Sequence, residues 1–570
     1  MAKTVSSEGL SRAMRTLRKE LGSVALPLDI DGVSRARKDR SELVDQLDDY
    51  ILPRLADLEA PMLAVVGGST GAGKSTLVNS LSRKPVTRTG VLRPTTRACV
   101  LAHHVDDGSW FEGPRVLPGL ERVEGTEDHH DPRTLRLAQA PGLPQGVALL
   151  DAPDIDSVVE ANRDLSRQML AAADLWIFVT TATRYADAVP WELLRQAADH
   201  GPSVAIVLNR VPPESAVSVG DHLSGLLARE GLRSAPVFTL TESCLDEEGM
   251  IPEKQLTPLR EWISRIGGNS KARGVVIRRS LNSALDALGG QAAEIAEASS
   301  AQIQTVQQLE AVAHSSYGEA CRAVDAGLAD GSLLGGAVLA HWQDYIHSGE
   351  LNRSFEAAVG RFRTRVSSAL GNRPAPTSDL NDALRIGVRE LILSQAEKAA
   401  QAISRRWSLI PGGTQVVEGF PELEVLPTDL QTRVEAAVTD WQEEILHFAR
   451  SEGKDRRTTA KLLSFGVDAV GTVLMVAAFS PVDDKAELPS EDSAMADRSA
   501  ALARKLIATL YGEQAVEHLV MQARESLAER VDALYALEEE RVLSALADLQ
   551  LDTGQPERVL RAVAAVKANR

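Results

Sequence analysis

The sequence is poor in cysteine, in net positive charge and in long apolar runs. Its three cysteines, Cys99, Cys244 and Cys321, are widely separated and form no C-x-x-C. That excludes a disulfide framework and a cysteine-built zinc site, and it fits a reducing cytoplasm. A net charge of −17 and a pI near 5.3 argue against bulk attraction to nucleic acid, which is not an expected partner, while leaving room for a local basic patch to meet anionic lipid. The first residues, Met1 to Glu8, carry neither an apolar core nor a cleavage pattern, so no secretory signal or lipidation site is expected. No internal repeat is found. One run stands apart: Leu462 to Phe479 is almost wholly apolar or small apart from Asp468, and it approaches the ~18 residues that raise a membrane question.

What is present is more informative. Gly68-Ser69-Thr70-Gly71-Ala72-Gly73-Lys74-Ser75 lies between an apolar run, Met62 to Val66, and a helical run that starts at Thr76. This is the spacing of a phosphate-binding P-loop, in which glycines let the backbone curl so that successive N–H groups point at a phosphate chain. The pattern makes Gly68 to Thr76 candidate nucleotide contacts: Lys74 for the β/γ-phosphates, and the Ser75 hydroxyl for Mg²⁺. A nucleoside triphosphate is the expected ligand.

At 570 residues the chain is too long for one core. Residues 1–60 read as helices expected to pack on a helical bundle, with Pro53 expected to kink or split the run Ser41 to Leu58. Over 61–268, short apolar runs at 62–66, 98–103, 146–150, 175–180, 203–208 and 235–240 alternate with helical patterns. That rhythm predicts an α/β domain, a mostly parallel sheet covered by helices with ligands at the carboxyl ends of strands. Over 269–570 helical periodicity takes over. Leu281, Leu285, Leu288, Ala292, Ile295, Ile303 and Val306 form one stripe with Ser299 in its only gap, and Leu519, Ala523, Leu527, Val531 and Leu534 form another of coiled-coil character. The fold class expected is an α/β P-loop domain followed by a long all-α bundle. Leu462 to Phe479 then has two readings, a membrane-facing tip of the bundle preceded by Lys454, Arg456, Arg457 and Lys461, or a wholly apolar core helix. Asp468 argues against a full span.

Further site candidates follow the P-loop. Arg93-Pro94-Thr95-Thr96-Arg97 is a polar stretch before a strand, and Thr95 or Thr96 is the candidate hydroxyl that closes on Mg²⁺ and the γ-phosphate. Asp151 ends the apolar strand Val147 to Leu150, as a Mg²⁺-holding carboxylate does. Ala205 to Leu208 leads into Asn209-Arg210, candidates for the base. The pairs His103-His104 and His129-His130 fit surface loops better than a metal site.

Gly68 to Leu81, Arg93 to Arg97, Leu149 to Pro153 and Asp174 to Thr180 together resemble the GTPase domain of bacterial dynamin-like proteins, over about residues 60 to 210. No L-S-G-G-Q signature of the ABC ATPases occurs. The resemblance implies a GTPase that uses GTP and Mg²⁺, with Lys74, Ser75, Thr95 or Thr96, and Asp151 keeping the family's roles. It also implies a helical bundle whose tip meets an anionic membrane surface, G domains that pair across the nucleotide, as a homo-oligomer or with a second GTPase subunit, and a cytoplasmic place at the inner face of the plasma membrane. Three positions depart from the family. Asp154 stands where D-x-P-G carries glycine, Pro212 stands where N-K-x-D carries the guanine-reading Asp, and Ser69-Thr70 replaces a Gln-Ser pair whose Gln helps to position water. These imply slow or partner-dependent hydrolysis, leave ATP open beside GTP, and keep alive a second reading, a switch that binds triphosphate and docks a partner.

Overall fold

The computed structural model describes residues 2–88, 99–113, 115–123, 134–153, 160–187, 191, 194–195, 203–330, 333, 338, 340–342, 376–452, 467–479 and 491–570. Contacts divide the chain into two compact units, one of Met1–Leu26, Gly32–Ala301 and Asp552–Arg570, the other of Pro27–Asp31 and Gln302–Leu551. The first unit thus joins the helices of residues 2–23 and 33–56 and the helix Gln555–Asn569 with the α/β region.

In the first unit, strands β1 (Met62–Gly68), β2 (Cys99–His103), β3 (Glu121–Val123), β4 (Thr134–Gln139), β5 (Val147–Asp151), β6 (Leu175–Thr181), β7 (Ser203–Val211) and β8 (Val237–Thr241) form one sheet in the order β3-β4-β2-β5-β1-β6-β7-β8. Every pairing is parallel except β2 with β5. The central strands are apolar on both faces: Leu63, Val65, Leu150, Trp176 and Phe178 enter one core, and Ala64, Val66, Leu149, Ile177 and Val179 enter the other. Helices cover both faces, so alternation of apolar and polar residues is absent and the strands read as continuous apolar runs. All six runs predicted from sequence are strands. β3 and β4 were not expected, since Glu121-Arg122-Val123 and Thr134 to Gln139 include no unbroken apolar run and β3 is only partly buried at the sheet edge.

Around the sheet, the Ala2–Ser23 helix buries Met14, Leu17 and Leu21 and packs on the Gln555–Asn569 helix, which contributes Val559, Ala562 and Val563. Arg558 Nε donates to Glu20 Oε2 at 2.9 Å, and Gln555 Nε2 to Ser23 Oγ at 2.7 Å. The Val33–Gln46 helix runs through a π turn at Leu47–Ile51 into Leu52–Ala56. The expected break at Pro53 takes this form because proline has no N–H for the carbonyl four residues back, and the ladder widens in the turn before it: Leu52 N–H bonds Leu47 O.

At the amino ends of β1 and β6, Arg54 forms a buried ion pair with Asp174 and donates to Pro61 O at 2.8 Å, while Asp174 accepts from Leu63 N at 2.8 Å. The carbonyl of Asp174 accepts from Ser280 Oγ at 2.9 Å, which ties the long Ser270–Ala329 helix to the sheet. Burial raises the Asp174 carboxyl above its ordinary range, against the opposing pull of Arg54 and the Leu63 N–H.

The second unit is helical, with Pro376–Trp407, Thr428–Glu452, Val467–Ala478, Glu491–Tyr511 and Glu513–Ala547 around a core that includes Trp342, Trp407, Trp441, Tyr317 and Tyr535. Two indole N–H groups inside that core find carbonyls, Trp407 at Leu309 (2.9 Å) and Trp441 at Ala523 (2.8 Å). The sequence stripe of the Ser270–Ala329 helix holds from Leu281 to Ser299 and then shifts by one position: Gln302, Thr305 and Leu309 are buried, and Ile303 and Val306 only partly. Gln302 is accommodated because its amide bonds both backbone groups of Leu28, each at 2.8 Å. Gln415 does likewise for Asp29 N (2.9 Å) and Pro27 O (3.2 Å).

The apolar run at 462–479 is described from residue 467 onward. Val470 and Val473 through Phe479 are buried, with Trp441 and Phe479 rings 5.8 Å apart and Arg524 Nε donating to Ala478 O at 2.6 Å. A helix apolar on every side is stable where neighbours cover every side, and here the helices on either side of it in sequence do so. Residues 462–466 and the basic residues Lys454, Arg456, Arg457 and Lys461 lie outside the described residues. Among the described residues, no helix is long and apolar enough to cross a membrane.

Candidate nucleotide site

β1 delivers the chain to the sheet's carboxyl edge at Gly68, where φ is +148° and a Cβ would lie 2.0 Å from Val179 O. Only glycine allows that approach. The loop turns again through Gly71 (φ +77°) and Gly73 (φ +96°), and Lys74 opens the Lys74–Ser82 helix, so the positive helix end lies at the close of the loop. Lys74 is buried, its Nζ donating to Gly68 O at 3.0 Å and Ser69 O at 3.2 Å. The loop is thus held in a curl by its own ammonium group.

Ser75 Oγ donates to Asp151 Oδ2 at 2.7 Å, which joins the helix start to the end of β5. Asp151 is fully buried and also accepts from Thr87 Oγ1 at 2.9 Å. A hydroxyl and a carboxylate at this separation are hard oxygen donors of the kind Mg²⁺ takes, beside a loop whose amides suit phosphate. The donor set therefore fits a magnesium-bound triphosphate. Among the described residues no group of three or more His, Cys, Asp or Glu could hold a metal by itself. The Oγ atoms of Ser69 and Thr180, both on fully buried residues, find no hydrogen-bond partner among the described residues. Thr76 lies in the first helical turn, its carbonyl accepting from Ser80 Oγ at 2.6 Å.

Asn209, at the end of β7, was expected near the base. Its Nδ2 donates to Ala72 O at 2.8 Å, and a Cβ on Gly73 would come within 2.5 Å of that nitrogen. In this position Asn209 shapes the P-loop. Arg210 follows with φ +53° in a β7–β8 irregularity and is exposed, as is Glu214 in the turn after Pro212. Thr95, Thr96 and Asp154 lie outside the described residues, as do His129 and His130; His103 is buried with Nδ1 2.8 Å from His104 O.

Three contributions were not read from the sequence. Asn79 clamps Thr87 on both sides, Nδ2 to Thr87 O at 2.7 Å and Oδ1 from Thr87 N at 2.8 Å, so the segment ahead of residues 89–98 starts from a fixed point. Thr87 itself reaches Asp151, as above. Arg184, on the turn after β6, donates from Nη1 to Thr70 O at 3.2 Å. Asn79 had a signal in the run Lys74 to Leu81; Arg184 and Thr87 belong to no motif.

A family model described as the Dynamin family matches residues 63–211. A protein of Arabidopsis thaliana, named as a probable transmembrane GTPase, FZO-like and chloroplastic, is 25% identical over 134 residues, which are 24% of this chain and 13% of that relative. Among solved structures, an oligomerised bacterial dynamin pair, described as a mechanism for long-range sensing and tethering of membranes, is 11% identical, with 98% of this chain and 95% of that one covered and a TM-score of 0.46. LeoA, a bacterial dynamin GTPase from ETEC, is 12% identical over 96% of this chain and 98% of its own, with a TM-score of 0.24. The matched residues 63–211 hold the P-loop, Asp151 and Asn209, and over this stretch the chain is similar to the Dynamin family.

Proposed function

We propose that this protein binds and slowly hydrolyses GTP with Mg²⁺ and passes the state of the nucleotide to its helices. The observation that carries this reading is the joint placement of the Lys74-closed P-loop and the Ser75–Asp151 pair at 2.7 Å. Ser75 and Asp151, with Thr96 from outside the described residues, would hold Mg²⁺, which when bound neutralises charge on the β- and γ-phosphate oxygens. The P-loop amides bind and orient the phosphates, and Asn209 keeps the loop in shape through Ala72. GTP is preferred to ATP on the strength of the family, since Pro212 removes the usual guanine contact. Slow turnover follows from Ser69-Thr70 in place of the Gln-Ser pair.

A second copy or a paired GTPase subunit, and an anionic membrane surface at the cytoplasmic face, complete the proposal as partners. The membrane part rests on the family and not on residues 470–479, which are interior. The test uses purified protein and a Lys74→Ala control, given GTP or ATP with and without anionic liposomes, following phosphate release and sedimentation. Lys74-dependent GTP turnover raised by liposomes is the expected result. Binding without turnover favours the partner-docking switch, ATP preference reassigns the substrate, and absence of any nucleotide binding by folded protein overturns the proposal.

A further inference from the structure

We propose that Arg184 is the cation this chain brings, in cis, to the terminal phosphate of the bound nucleotide. The inference rests on the GTPase reading above and adds a residue to it. β6 lies beside β1 in parallel, with Gly68 opposite Val179, so the chain leaving β6 emerges next to the P-loop at the same edge of the sheet. It then folds into a compact turn. The carbonyl of Thr181 accepts from both Arg184 N and Tyr185 N at 3.0 Å, and Arg184 O accepts from Asp187 N at 3.1 Å. Tyr185 is anchored in turn, its carbonyl by Trp191 Nε1 and its hydroxyl against His222 Nδ1, each at 2.8 Å. The base of Arg184 is therefore fixed while its guanidinium reaches Thr70 O at 3.2 Å.

That position puts a permanent cation on Thr70 O, next along the loop from the Gly68 and Ser69 carbonyls that Lys74 holds. Capping a carbonyl requires only a neutral N–H, so a turn built to deliver a guanidinium beside a triphosphate-binding loop has electrostatic weight beyond the hydrogen bond. Thr70 also lies in the stretch where the resembling family carries its water-positioning Gln, and a cation from the β6 turn acts on the other half of the problem, the charge. In the reaction, the oxygen of water bonds to the γ-phosphorus while the bond to the β–γ bridging oxygen breaks. That oxygen leaves with the electron pair on GDP, and a proton of the water is released with inorganic phosphate. Negative charge on the transferring group and on the leaving oxygen is what an arginine stabilises, and cis or trans arginines in such sites contribute about 10³ to 10⁵ in turnover.

The test compares wild type with Arg184→Ala, Arg184→Lys and Arg184→Gln, reading GTP affinity, turnover, and affinity for GDP with aluminium fluoride as a transition-state mimic. The Gln variant keeps an N–H for Thr70 O without charge, and thermal melts check folding. Expected are a loss of turnover of at least about 100-fold in Ala and Gln, partial recovery in Lys, GTP affinity within about threefold of wild type, and a loss of mimic affinity parallel to that of turnover. Wild-type behaviour of Gln, or equal losses of GTP and mimic affinity, would make Arg184 a brace of the P-loop and overturn the inference. Mixing Arg184→Ala with Lys74→Ala tests for trans action: restored turnover would also overturn it. Should wild type bind no GTP, the GTPase reading fails first, a result that the wild-type titration alone reveals.

Discussion

Replacing Asp49 by Asn should stabilise the first unit above neutral pH, although Asp49 makes a hydrogen bond. The carboxyl is buried on the π turn, and its pKa is pushed up to about 6, chiefly by burial, with Asp45 and Asp48 adding repulsion and the Gln168 hydrogen bond and Arg122 opposing. Asp48 is itself paired with Arg18 at 2.7 Å. In the unfolded chain the group titrates near 3.8. Between these values the folded state holds a proton that the unfolded state has released, so stability falls as pH rises through the window and stays lower above it. The displacement is worth on the order of 3 kcal/mol. An Asn side chain keeps an oxygen for Gln168 Nε2, now 2.7 Å from Asp49 Oδ2, and does not ionise. Asp49→Asn should therefore melt roughly 4 to 5 °C above wild type at pH 8, with the difference shrinking toward zero near pH 4. Thermal melts of both proteins at several pH values give the answer. A variant less stable than wild type at pH 8, or a difference that does not vary with pH, would refute the argument.

Other perturbations have equally direct outcomes. Arg54→Ala leaves Asp174 buried without its cation and should cost about 3 to 5 kcal/mol, seen as a lower denaturant midpoint that recovers partly in acid, where Asp174 takes a proton. Asn79→Ala removes both bonds to Thr87 and should weaken nucleotide binding at least about tenfold, since two buried hydrogen bonds at about 1 kcal/mol each or more hold that segment; titration with a fluorescent GTP analogue measures it. Gly73→Ala places a methyl 2.5 Å from Asn209 Nδ2 at φ +96°, and the same titration should show binding lost while Gly290→Ala, where a Cβ meets nothing within 4 Å, leaves it unchanged.

Sequence pattern and structure agree where the information is local. The six apolar runs are strands because they are covered on both faces, and Ser75 and Asp151 meet because a P-loop and an acid-terminated strand lie on neighbouring strands of one sheet. Agreement ends where a residue's role depends on a partner distant in sequence. Gln302 looks like a break in an apolar stripe until Leu28, 274 residues away, supplies its bonds. Arg184 is an ordinary polar loop residue until the 114-residue separation from Thr70 closes. The apolar run at 462–479 had two readings because hydropathy reports that a surface must be covered, not by what. Neighbouring helices cover its described part, as they would any helix without a polar side.

The packing of the Ala2–Ser23 helix on Gln555–Asn569 has a temporal consequence. Glu20 and Arg558 are 538 residues apart, and at ribosomal speeds of about 5 to 20 residues per second the first helix emerges roughly half a minute to two minutes ahead of its mate. Throughout that interval Met14, Leu17 and Leu21 have only the helices of residues 33–56 for cover and lack Val559, Ala562 and Val563, so the earliest segment made is among the last to settle fully, and any stop before residue 555 leaves part of an amphipathic face for chaperones or proteases to find.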